Sequence, residues 1–404
     1  MLIGLAVRNV FRAKARSAIT IGALFFGVTM SLLLSGFVMG VGESLVSETI
    51  ESRVGALQVH RTGYFEKRDR QPLAFNLPQD AAFEARLRGT PNVAAVTPRI
   101  TFSGLLTNGS RGAMAIITAI EPKSAREALP RLDMYLQGTP FTADERNGAH
   151  VGIELSKALD LKDGVPLMLQ AQGLGGRDNA LDLEPRGTLN GQNPLEGKRA
   201  VTVPLAFAQD LLGMQGKVTE YVLSVKDVDR LEDTAAALRT SLGDGYEVQT
   251  WKELRPALND ARLIQRAILG LASFIFLIIA LFGVANTLLM TVLERTKEIG
   301  TLMAVGMTRA QVARLFVLEA LTQALIGAGS GLVVALVVLT IARSGGGFRI
   351  PMGSAGGYVM IMPTLLAAVP FIVIGSTLVG SVLAAVSPAL RASRMRPVEA
   401  LASV

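Results

Sequence analysis

Charged side chains are missing from four long stretches of the sequence, which cover residues 17–42, 267–293, 320–342 and 350–390. The hydrocarbon core of a bilayer is about 30 Å thick, and a helix needs roughly 20 residues to cross it. Each stretch meets this requirement, and the last one also has room for a loop before its helix. The pattern therefore predicts four transmembrane helices.

The residues before the first stretch, MLIGLAVRNVFRAKAR, alternate apolar and basic positions at helical spacing. This pattern is typical of an amphipathic helix on the membrane surface, and a fully solvated basic tail is the alternative. The apolar run that follows exceeds the usual limit of about 15 residues for a secretory signal, and no A-x-A-like cleavage site follows it. We therefore expect a retained membrane anchor.

Basic residues cluster near one end of every predicted span. They are Arg8, Arg12, Lys14, Arg16, Arg295, Lys297, Arg309, Arg314, Arg391, Arg394 and Arg396. Because basic residues stay on the cytoplasmic side, the segment 43–262 is expected to lie outside the cytoplasm. That segment holds more acidic than basic residues, so the formal net charge of +7 is a membrane-flanking bias and does not indicate nucleic-acid binding.

The external segment contains an internal repeat. Strand, helix and strand patterns occur in ALQVHR (56–61), DAAFEARLRG (80–89) and NVAAVTP (92–98), and again in EYVLSVKD (220–227), residues 228–243 and YEVQTW (246–251). Two such halves favour an α+β sandwich, and the intervening residues, about 100–205, predict an inserted β-rich subdomain with a hairpin at Asn108-Gly109. The Gly- and Asn-rich segment 173–197 lacks apolar periodicity, so we expect a mobile loop that either contacts a partner or cargo or is a surface excursion.

These patterns predict a helical membrane protein with four transmembrane helices and a large α+β extracytoplasmic domain. The expected segments are a cytoplasmic interfacial helix (1–16), transmembrane helix 1 (17–42), the external domain (43–262), transmembrane helix 2 (264–293), a cytoplasmic connection (294–312), transmembrane helix 3 (313–342), an external loop (343–362), transmembrane helix 4 (363–388) and a cytoplasmic tail (389–404).

Residues suited to catalysis or metal binding are scarce. The chain has no cysteine, and neither His60 nor His150 has a set of neighbouring ligand residues, so we expect no catalytic and no metal site. The sequence GMQGKV lacks the spacing of a phosphate-binding loop, so no ATP site is expected in this chain. The four charge-free stretches contain no charged residue, and Glu319 lies beside the third at its cytoplasmic end, which argues against an ion-coupled carrier.

The connection between the second and third spans reads ERTKEIGTLMAVGMTRAQV, and it is too short for a domain. Its first residues favour a helix, Gly300 and Gly306 permit bends, and Thr308 is a suitable N-cap for the next helix. Short helices across the membrane face would offer a contact for a cytoplasmic partner.

The sequence ERTKEIGTLMAVGMTRAQVARLFVLEALTQALIGAGSGL resembles the signature of FtsX-type ABC permeases, the class that includes MacB, LolC and LolE. The tail PALRASRMRPVEAL (388–401) and the order of one span, an external domain and three spans are also similar. The resemblance implies a MacB-like periplasmic core with an inserted subdomain, in the bacterial inner membrane. It also implies contact with an ABC ATPase, which binds ATP and magnesium itself, through a coupling helix at Glu294, Arg295, Glu298, Ile299, Gly300, Ala304, Gly306 and Arg309. An ordinary charged loop would explain the basic residues there but not the acids and glycines.

Two further sets of span residues are noted. Gly327 and Gly331 have the small-xxx-small spacing that lets helices approach closely, either at a dimer seam or between spans three and four. The apolar faces of the first two spans offer cargo contacts, although lipid or core packing would explain the same residues: Phe25, Phe26, Leu33, Phe274, Leu277 and Leu281.

Two functions fit these observations. The first is a non-catalytic, dimeric permease of the mechanotransmission type (type VII), with a second copy or paralogue and membrane lipids as partners. It would move an amphipathic envelope cargo, foremost lipoproteins, with a periplasmic carrier or adaptor as a further partner; macrolide or peptide efflux is the variant of this function. The second is an FtsX-like regulator of other envelope proteins. The large external segment favours transport.

Overall fold

A computed structural model describes residues 2–12, 14–70, 73–161, 166–190, 197–352 and 357–395, with side chains for all of these except 68–70, 349–352 and 357–359. The chain divides into two compact units. The membrane unit comprises Met1–Glu43, Ala261–Phe348 and Met360–Val404, and the outer domain comprises Ser44–Asp260 and Arg349–Val359. Arg396 and the end of the predicted tail motif lie outside the described residues.

Helices make up nearly all of the membrane unit and alternate with strands in the outer domain. In chain order they are α1 (Leu2–Arg12), α2 (Lys14–Thr49), α3 (Ala81–Arg88), α4 (Pro122–Ala128), α5 (Ile153–Ala158), α6 (Leu205–Leu212), α7 (Leu231–Leu242), α8 (Trp251–Leu254), α9 (Pro256–Glu294), α10 (Thr296–Ala304), α11 (Arg309–Ser344) and α12 (Ala368–Ser393). A π-helix, Ile50–Val54, continues α2.

Within the described ranges, four helices are long and apolar enough to cross a membrane: α2 with its π-helical extension, α9, α11 and α12. We call them spans one to four. Apolar side chains of all four meet in the interior of the unit, for example at Leu24, Val284, Phe316 and Ala385. Many apolar side chains on their outward faces are exposed, as expected for helices surrounded by lipid.

The amphipathic pattern of the first residues forms the predicted helix α1. Ala6 and Val10, one turn apart, are buried, and α1 packs against span three. Ile3 and Phe11 stay exposed. A helix with a buried stripe and exposed apolar residues fits the interfacial interpretation better than a solvated tail.

The outer domain is built on one ten-stranded mixed sheet. The strands described in the whole chain, in chain order, are β1 (Leu57–Arg61), β2 (Leu77–Pro78), β3 (Val93–Thr107), β4 (Gly112–Ile120), β5 (Leu136–Gly138), β6 (Gly148–Gly152), β7 (Leu167–Gln172), β8 (Asp178–Leu189), β9 (Ala200–Pro204), β10 (Lys217–Val218), β11 (Glu220–Val225), β12 (Tyr246–Thr250), β13 (Phe348–Met352) and β14 (Gly357–Ile361). Strands β2 and β10 pair with each other, as do β13 and β14, and the other ten form the large sheet. The large sheet has the order β12-β1-β11-β3-β4-β9-β6-β8-β5, with β7 paired to β3 and β8.

Both halves of the predicted repeat have the expected elements. The first half supplies β1, α3 and the start of β3, and the second supplies β11, α7 and β12. The carboxylate of Asp80 caps α3 by accepting a hydrogen bond from the Phe83 amide at 2.6 Å. The hairpin at Asn108-Gly109 joins β3 to β4, and the Asn108 side chain accepts hydrogen bonds from the amides of Ser110 and Arg111. The long strand β3 runs through both the repeat and the inserted region.

The prediction of a mobile loop over 173–197 was wrong for its middle part. Residues 178–189, expected within a mobile loop, form strand β8, which pairs with β7, β6 and β5. Most of its side chains are exposed, and Leu183 is fully buried, so the strand shows no apolar alternation to detect. Backbone pairing on both sides fixes it instead. The external loop 343–362 contains the two-stranded pair β13 and β14. Residues 191–196 and 353–356 of these segments lie outside the described residues.

Candidate functional site

The connection between spans two and three forms a short helix and a tight turn. Span two ends at Glu294, α10 covers Thr296–Ala304, and span three begins at Arg309. Thr308 caps span three in a reciprocal capping box. Its hydroxyl accepts from the Gln311 amide at 3.3 Å, and the Gln311 side chain accepts from the Thr308 amide at 2.9 Å. The predicted N-cap is therefore confirmed.

The two glycines of this connection differ in conformation. Gly306 has a φ of +110°, a backbone region that side chains with a Cβ rarely adopt, so it supplies the predicted bend. Gly300 lies inside α10 and is buried. The expected bend at Gly300 was wrong, because the helical hydrogen bonds continue through it.

Replacing Gly306 with alanine is expected to destabilise the folded chain by about 1–3 kcal/mol, because the turn requires its positive φ. The matched control is Gly329→Ala, in the helical interior of span three, where a Cβ would meet no atom within 4 Å. This second change should be neutral or slightly stabilising. The thermal unfolding midpoints of both variants in detergent test this, and equal midpoints would contradict it.

Arg295 lies at the centre of a group of charged side chains. Its Nε donates to Glu298 Oε2 at 2.8 Å, and its Nη1 donates to Glu319 Oε1 at 3.2 Å. Glu319 also accepts a hydrogen bond from the Asn9 amide group of α1 at 2.5 Å. The Glu319 side chain is only 5% exposed, so these contacts hold a buried carboxylate.

Two more ion pairs link the start of the chain to this group. Arg12 of α1 lies 3.4 Å from Glu298, and Arg16, in the first turn of span one, pairs with Glu294. The hydrogen bond from Arg295 lowers the pKa of Glu298 below its usual range, and the charge of Arg12 acts in the same direction. The resemblance assigned Glu294, Arg295 and Glu298 to the contact with an ATPase, whereas in the structure all three form ion pairs within the chain.

The predicted coupling residues therefore fall into two groups. Ile299 is 3% exposed and packs in the core of the membrane unit, and Gly300 is buried beside it. Ala304, Gly306 and Arg309 are exposed around the turn. Val305, between Ala304 and Gly306, is 84% exposed, and the sequence analysis did not identify it. The sequence feature that could have identified it is an apolar residue directly before a glycine expected to form a bend. We call residues 304–309 the tip.

The tip combines features of a docking surface. Val305 exposes an apolar side chain on a turn held by the capping box of Thr308 and by the bend at Gly306. Arg309 adds a positive charge and has no ion pair among the described residues. A rigid turn with one apolar and one basic side chain suits a protein groove, because binding orders few additional groups.

Gly327 and Gly331 bring spans one and three into close contact. A Cβ on Gly327 would lie 2.8 Å from the Leu24 Cβ, and one on Gly331 would lie 2.8 Å from the Phe25 carbonyl oxygen. The Thr29 hydroxyl donates to the Gly331 carbonyl oxygen at 3.3 Å. Both glycines face span one of the same chain. The expected contact between spans three and four was therefore wrong for these two glycines, and a dimer seam formed by this part of the chain stays a prediction.

The six apolar positions noted in spans one and two are not brought together into one site. Phe26 and Phe274 are more than half exposed, whereas Leu33 packs against the interior of the membrane unit. Leu281 lies against Gly380 of span four, where a Cβ would be only 2.5 Å from it. Phe25 and Leu277 are half-buried. A role in cargo contact stays a prediction for the exposed members.

Both histidines of the outer domain have structural contacts. The His150 ring stacks on Phe141 with 3.8 Å between centroids, and its Nε2 lies 2.9 Å from the Thr139 carbonyl oxygen. The His60 ring stacks on Tyr64, and its Nε2 lies 3.2 Å from Gln58 Oε1. Within the described part of the chain, no cluster of three potential ligands is arranged for a metal ion.

Acid is expected to destabilise the outer domain through His60. Burial lowers its pKa from 6.5 to about 4, against the smaller opposing effect of Glu220. The unfolded chain therefore binds this proton more readily, so the stabilisation is complete above pH 6.5 and is lost as the pH falls towards 4. Between pH 6.5 and 5 the loss should be about 1.5 kcal/mol.

Fluorescence of Trp251 can follow this transition, because it is the single tryptophan and is buried in the outer-domain core. The variant His60→Phe keeps a ring against Tyr64 but cannot titrate. Its free energy of unfolding should therefore change less over the same interval. Equal pH dependence in the wild type and the variant would contradict the prediction.

Two family models match the chain. Residues 17–241 match the MacB-like periplasmic core domain, and residues 270–397 match the FtsX-like permease C-terminal domain. The first match covers more than half of the chain. The second covers most of span two, the tip, and spans three and four.

Curated relatives agree with these matches. The chain is 26% identical to "Macrolide export ATP-binding/permease protein MacB" of Nitrobacter winogradskyi, over 98% of this chain and 60% of that protein. It is 24% identical to "Lipoprotein-releasing system transmembrane protein LolE" of Haemophilus influenzae, over 79% of this chain and 80% of that protein. It is 30% identical to "Pyoverdine export ATP-binding/permease protein PvdT" of Pseudomonas putida, over 55% of this chain and 32% of that protein. The chain spans about 60% of the length of its MacB relative.

Two solved structures are similar to part of the chain. The match to the extracellular domain of the transporter YknZ from Gram-positive bacteria covers 48% of this chain and 99% of the YknZ chain, with 14% sequence identity and a TM-score of 0.34. The match to the periplasmic region of MacB from Actinobacillus actinomycetemcomitans covers 50% of this chain and 92% of the MacB chain, with 12% sequence identity and a TM-score of 0.35.

The two family matches follow one another along the chain and agree with its architecture. The periplasmic-core match begins in span one and covers the outer domain as far as Ser241 in α7, and the permease match begins within span two. The predicted fold class is confirmed by the four apolar helices and the mixed α/β domain. The chain belongs to the FtsX/MacB-type family of ABC transporter permeases, the type VII class.

Proposed function

We propose that this chain is the non-catalytic membrane subunit of an ABC transporter and that a separate cytoplasmic ATPase docks on its tip. The observation that carries the proposal is the exposed Val305 on a turn held by Gly306 and Thr308. ATP and magnesium are bound by the ATPase. Docking through an apolar anchor on a rigid turn fits the way in which a few central residues dominate protein interfaces.

The ion-pair group supplies the connection from the tip to the rest of the membrane unit. α10 leads from the tip to Arg295, which contacts Glu319 of span three. Glu298 and Glu294 pair with Arg12 and Arg16, so α1 and span one are tied to the same helix. A displacement of the tip is therefore passed to spans one and three together. This arrangement suits a mechanical relay better than a pore.

The proposed cargo is an amphipathic molecule of the envelope, foremost a lipoprotein. The four charge-free stretches, 17–42, 267–293, 320–342 and 350–390, hold no Asp, Glu, Lys, Arg or His, and Glu319 lies at one end of the third, so they offer no path for a hydrophilic solute. Exposed apolar residues such as Phe26 and Phe274 suit acyl chains. The likeness to LolE, whose name refers to lipoprotein release, supports this cargo.

We further propose that the chain forms a dimer with a second copy or a paralogue in the bacterial inner membrane. The outer domain would then lie in the periplasm, where a periplasmic carrier or adaptor is the proposed partner.

Depletion of the chain in its own cells tests the cargo. Lipoproteins are expected to accumulate in the inner-membrane fraction, and wild-type chain or the outer-domain control Val228→Asp should restore sorting, whereas Val305→Asp should not. Val228 is an exposed valine of the outer domain, so this control has the same chemistry as the test variant.

Drug susceptibility, measured alongside, distinguishes the second candidate. The likeness to MacB over 98% of this chain favours efflux of a macrolide or peptide as the alternative. Correct lipoprotein sorting together with increased drug sensitivity would contradict the lipoprotein assignment and support efflux. Unchanged sorting and unchanged sensitivity would instead favour an FtsX-like regulator.

A further inference from the structure

Spans two and four form the walls of a groove of about 580 Å³ in the membrane unit. This volume lies within the range of about 300–1,000 Å³ that is typical of small-molecule sites. The lining residues lie between Phe282 and Leu289 in span two and between Ser387 and Arg391 in span four. No step of the proposed coupling uses this groove.

The groove lies at the end of the membrane unit that carries the tip. Span two ends at Glu294, directly before α10. Asn286, which lines the groove, precedes that end by about 12 Å along the helix, at 1.5 Å per residue. Arg391 belongs to the last turn of span four. The groove therefore begins near the membrane surface on the side of the tip and reaches into the hydrocarbon.

Arg391 is the cation of the groove. It is exposed, and its side chain makes no ion pair or hydrogen bond within the described residues. The carboxylates of Glu294, Glu298 and Glu319 pair with other arginines. Among the described lining residues there is no carboxylate. A phosphate group from outside the chain would supply the missing counter-ion, because a guanidinium binds two phosphate oxygens at once.

Asn286 is a second polar group of the groove that needs a partner. It lies inside the charge-free stretch 267–293, it is exposed, and its side chain makes no hydrogen bond within the part of the chain that the structure describes. The hydrocarbon core offers no water, so an amide group there is costly unless a neighbouring molecule bonds to it. The ester oxygens of a phospholipid are acceptors for its NH2 group.

The deeper part of the groove is apolar. Phe282 is one helical turn further from the tip than Asn286, lines the groove and is 72% exposed. From the membrane surface inward the groove thus presents a cation, an amide and an aromatic ring. A phospholipid presents its phosphate, its ester groups and its acyl chains in the same order.

We infer that this groove binds an anionic phospholipid of the leaflet on the side of the tip, with its phosphate at Arg391, an ester group at Asn286 and an acyl chain along Phe282. Basic pockets between transmembrane helices are known to bind such headgroups. The headgroup is anionic because the described lining offers no carboxylate to the ammonium group of a zwitterionic lipid. Binding is measured without an ATPase or cargo, so its failure would leave the proposed coupling function intact.

Lipid retention by the full chain tests the inference. The chain is purified in detergent and incubated with equal amounts of phosphatidylglycerol and phosphatidylcholine that carry the same acyl chains. After gel filtration, the lipids that remain bound are extracted and quantified by mass spectrometry. The wild type is expected to retain about fivefold more phosphatidylglycerol than phosphatidylcholine, as for one basic residue at an anionic headgroup. Equal retention of the two lipids would overturn the inference.

The variant Arg391→Gln should abolish this preference. Arg394→Gln is the matched control, because Arg394 is also an exposed arginine at the end of span four, has no ion pair within the described residues and does not line the groove. The control should keep the preference of the wild type. An unchanged preference in Arg391→Gln, or an equal loss in both variants, would overturn the site, since an equal loss indicates general surface charge.

The variant Asn286→Leu should lower the retention of both lipids about fivefold, as for one lost hydrogen bond, and leave their ratio unchanged. It places an apolar side chain of similar size in the hydrocarbon, so the chain should still fold. Unchanged retention would overturn the ester contact. Unchanged retention together with the loss of a dimer in the same gel filtration would overturn the lipid and assign the groove to a second copy of the chain.

Glycerol 3-phosphate distinguishes a lipid from a soluble phosphate compound. It carries the same phosphate group but no acyl chain, so an excess of it is expected not to displace bound phosphatidylglycerol. Displacement would overturn the acyl-chain contact and indicate a soluble ligand at Arg391.

Discussion

The variant Arg295→Met is expected to lose about 3–5 kcal/mol of stability, because it removes one partner of a buried ion pair and leaves the other behind. The Glu319 side chain is 5% exposed, and Arg295 supplies the positive charge that lies 3.2 Å from it. Asn9 still donates to Glu319 in this variant, but an amide group does not neutralise a carboxylate. The midpoint of thermal unfolding in detergent, followed by far-UV circular dichroism, measures the loss.

Two controls separate the pair from general effects of losing an arginine. Arg309→Met removes an exposed arginine and should change stability by no more than about 0.5 kcal/mol. The double variant Arg295→Met with Glu319→Met removes both charges and should recover most of the loss, because an apolar pair of similar volume often replaces a buried ion pair without cost. A double variant less stable than Arg295→Met would contradict this account of the group.

The variant Val305→Asp is expected to weaken ATPase docking by about 2 kcal/mol or more, or about 30-fold in affinity, as for a central apolar residue of an interface. Its 84% exposure means that folding does not depend on it, so stability should stay within about 0.5 kcal/mol of wild type. Co-purification of the cognate ATPase with tagged chain measures docking. Val228→Asp, an exposed valine of the outer domain, serves as the control.

This prediction also separates the tip from the ion-pair group. If the acids made the contact with the ATPase, Val305→Asp would leave co-purification unchanged and Glu294→Gln would abolish it. The structure pairs Glu294 with Arg16 of the same chain. Retention of the ATPase by Glu294→Gln and its loss in Val305→Asp is therefore the expected pattern.

Patterns of apolar residues predicted most of the fold. The four spans are visible as charge-free stretches long enough to cross a bilayer, and the interfacial helix and both halves of the repeat are visible as apolar residues at the period of their element. Strand β8 does not depend on such a pattern, because its partners hold it by backbone hydrogen bonds and most of its side chains stay exposed. Its pairing is tertiary information that the local sequence does not carry.

The candidate site was predicted only in part for a similar reason. The cap at Thr308 and the bend at Gly306 are local and were found. The pairing of Glu319 with Asn9, 310 positions away, is not local. The glycines of span three showed that a helix would approach closely but not which helix. Likewise the sequence did not show that Glu294 and Glu298 of the connection form ion pairs with Arg16 of span one and Arg12 of α1.

The contact between the tip and an ATPase is tested most directly by site-specific crosslinking. The chain has no cysteine, so Val305→Cys introduces a single thiol at the tip for a photo-crosslinking label. The labelled chain in its own membranes is expected to crosslink to an ABC ATPase, and Val228→Cys, labelled in the same way in the outer domain, is expected not to. No ATPase adduct at position 305, or an equal adduct at position 228, would contradict docking at the tip.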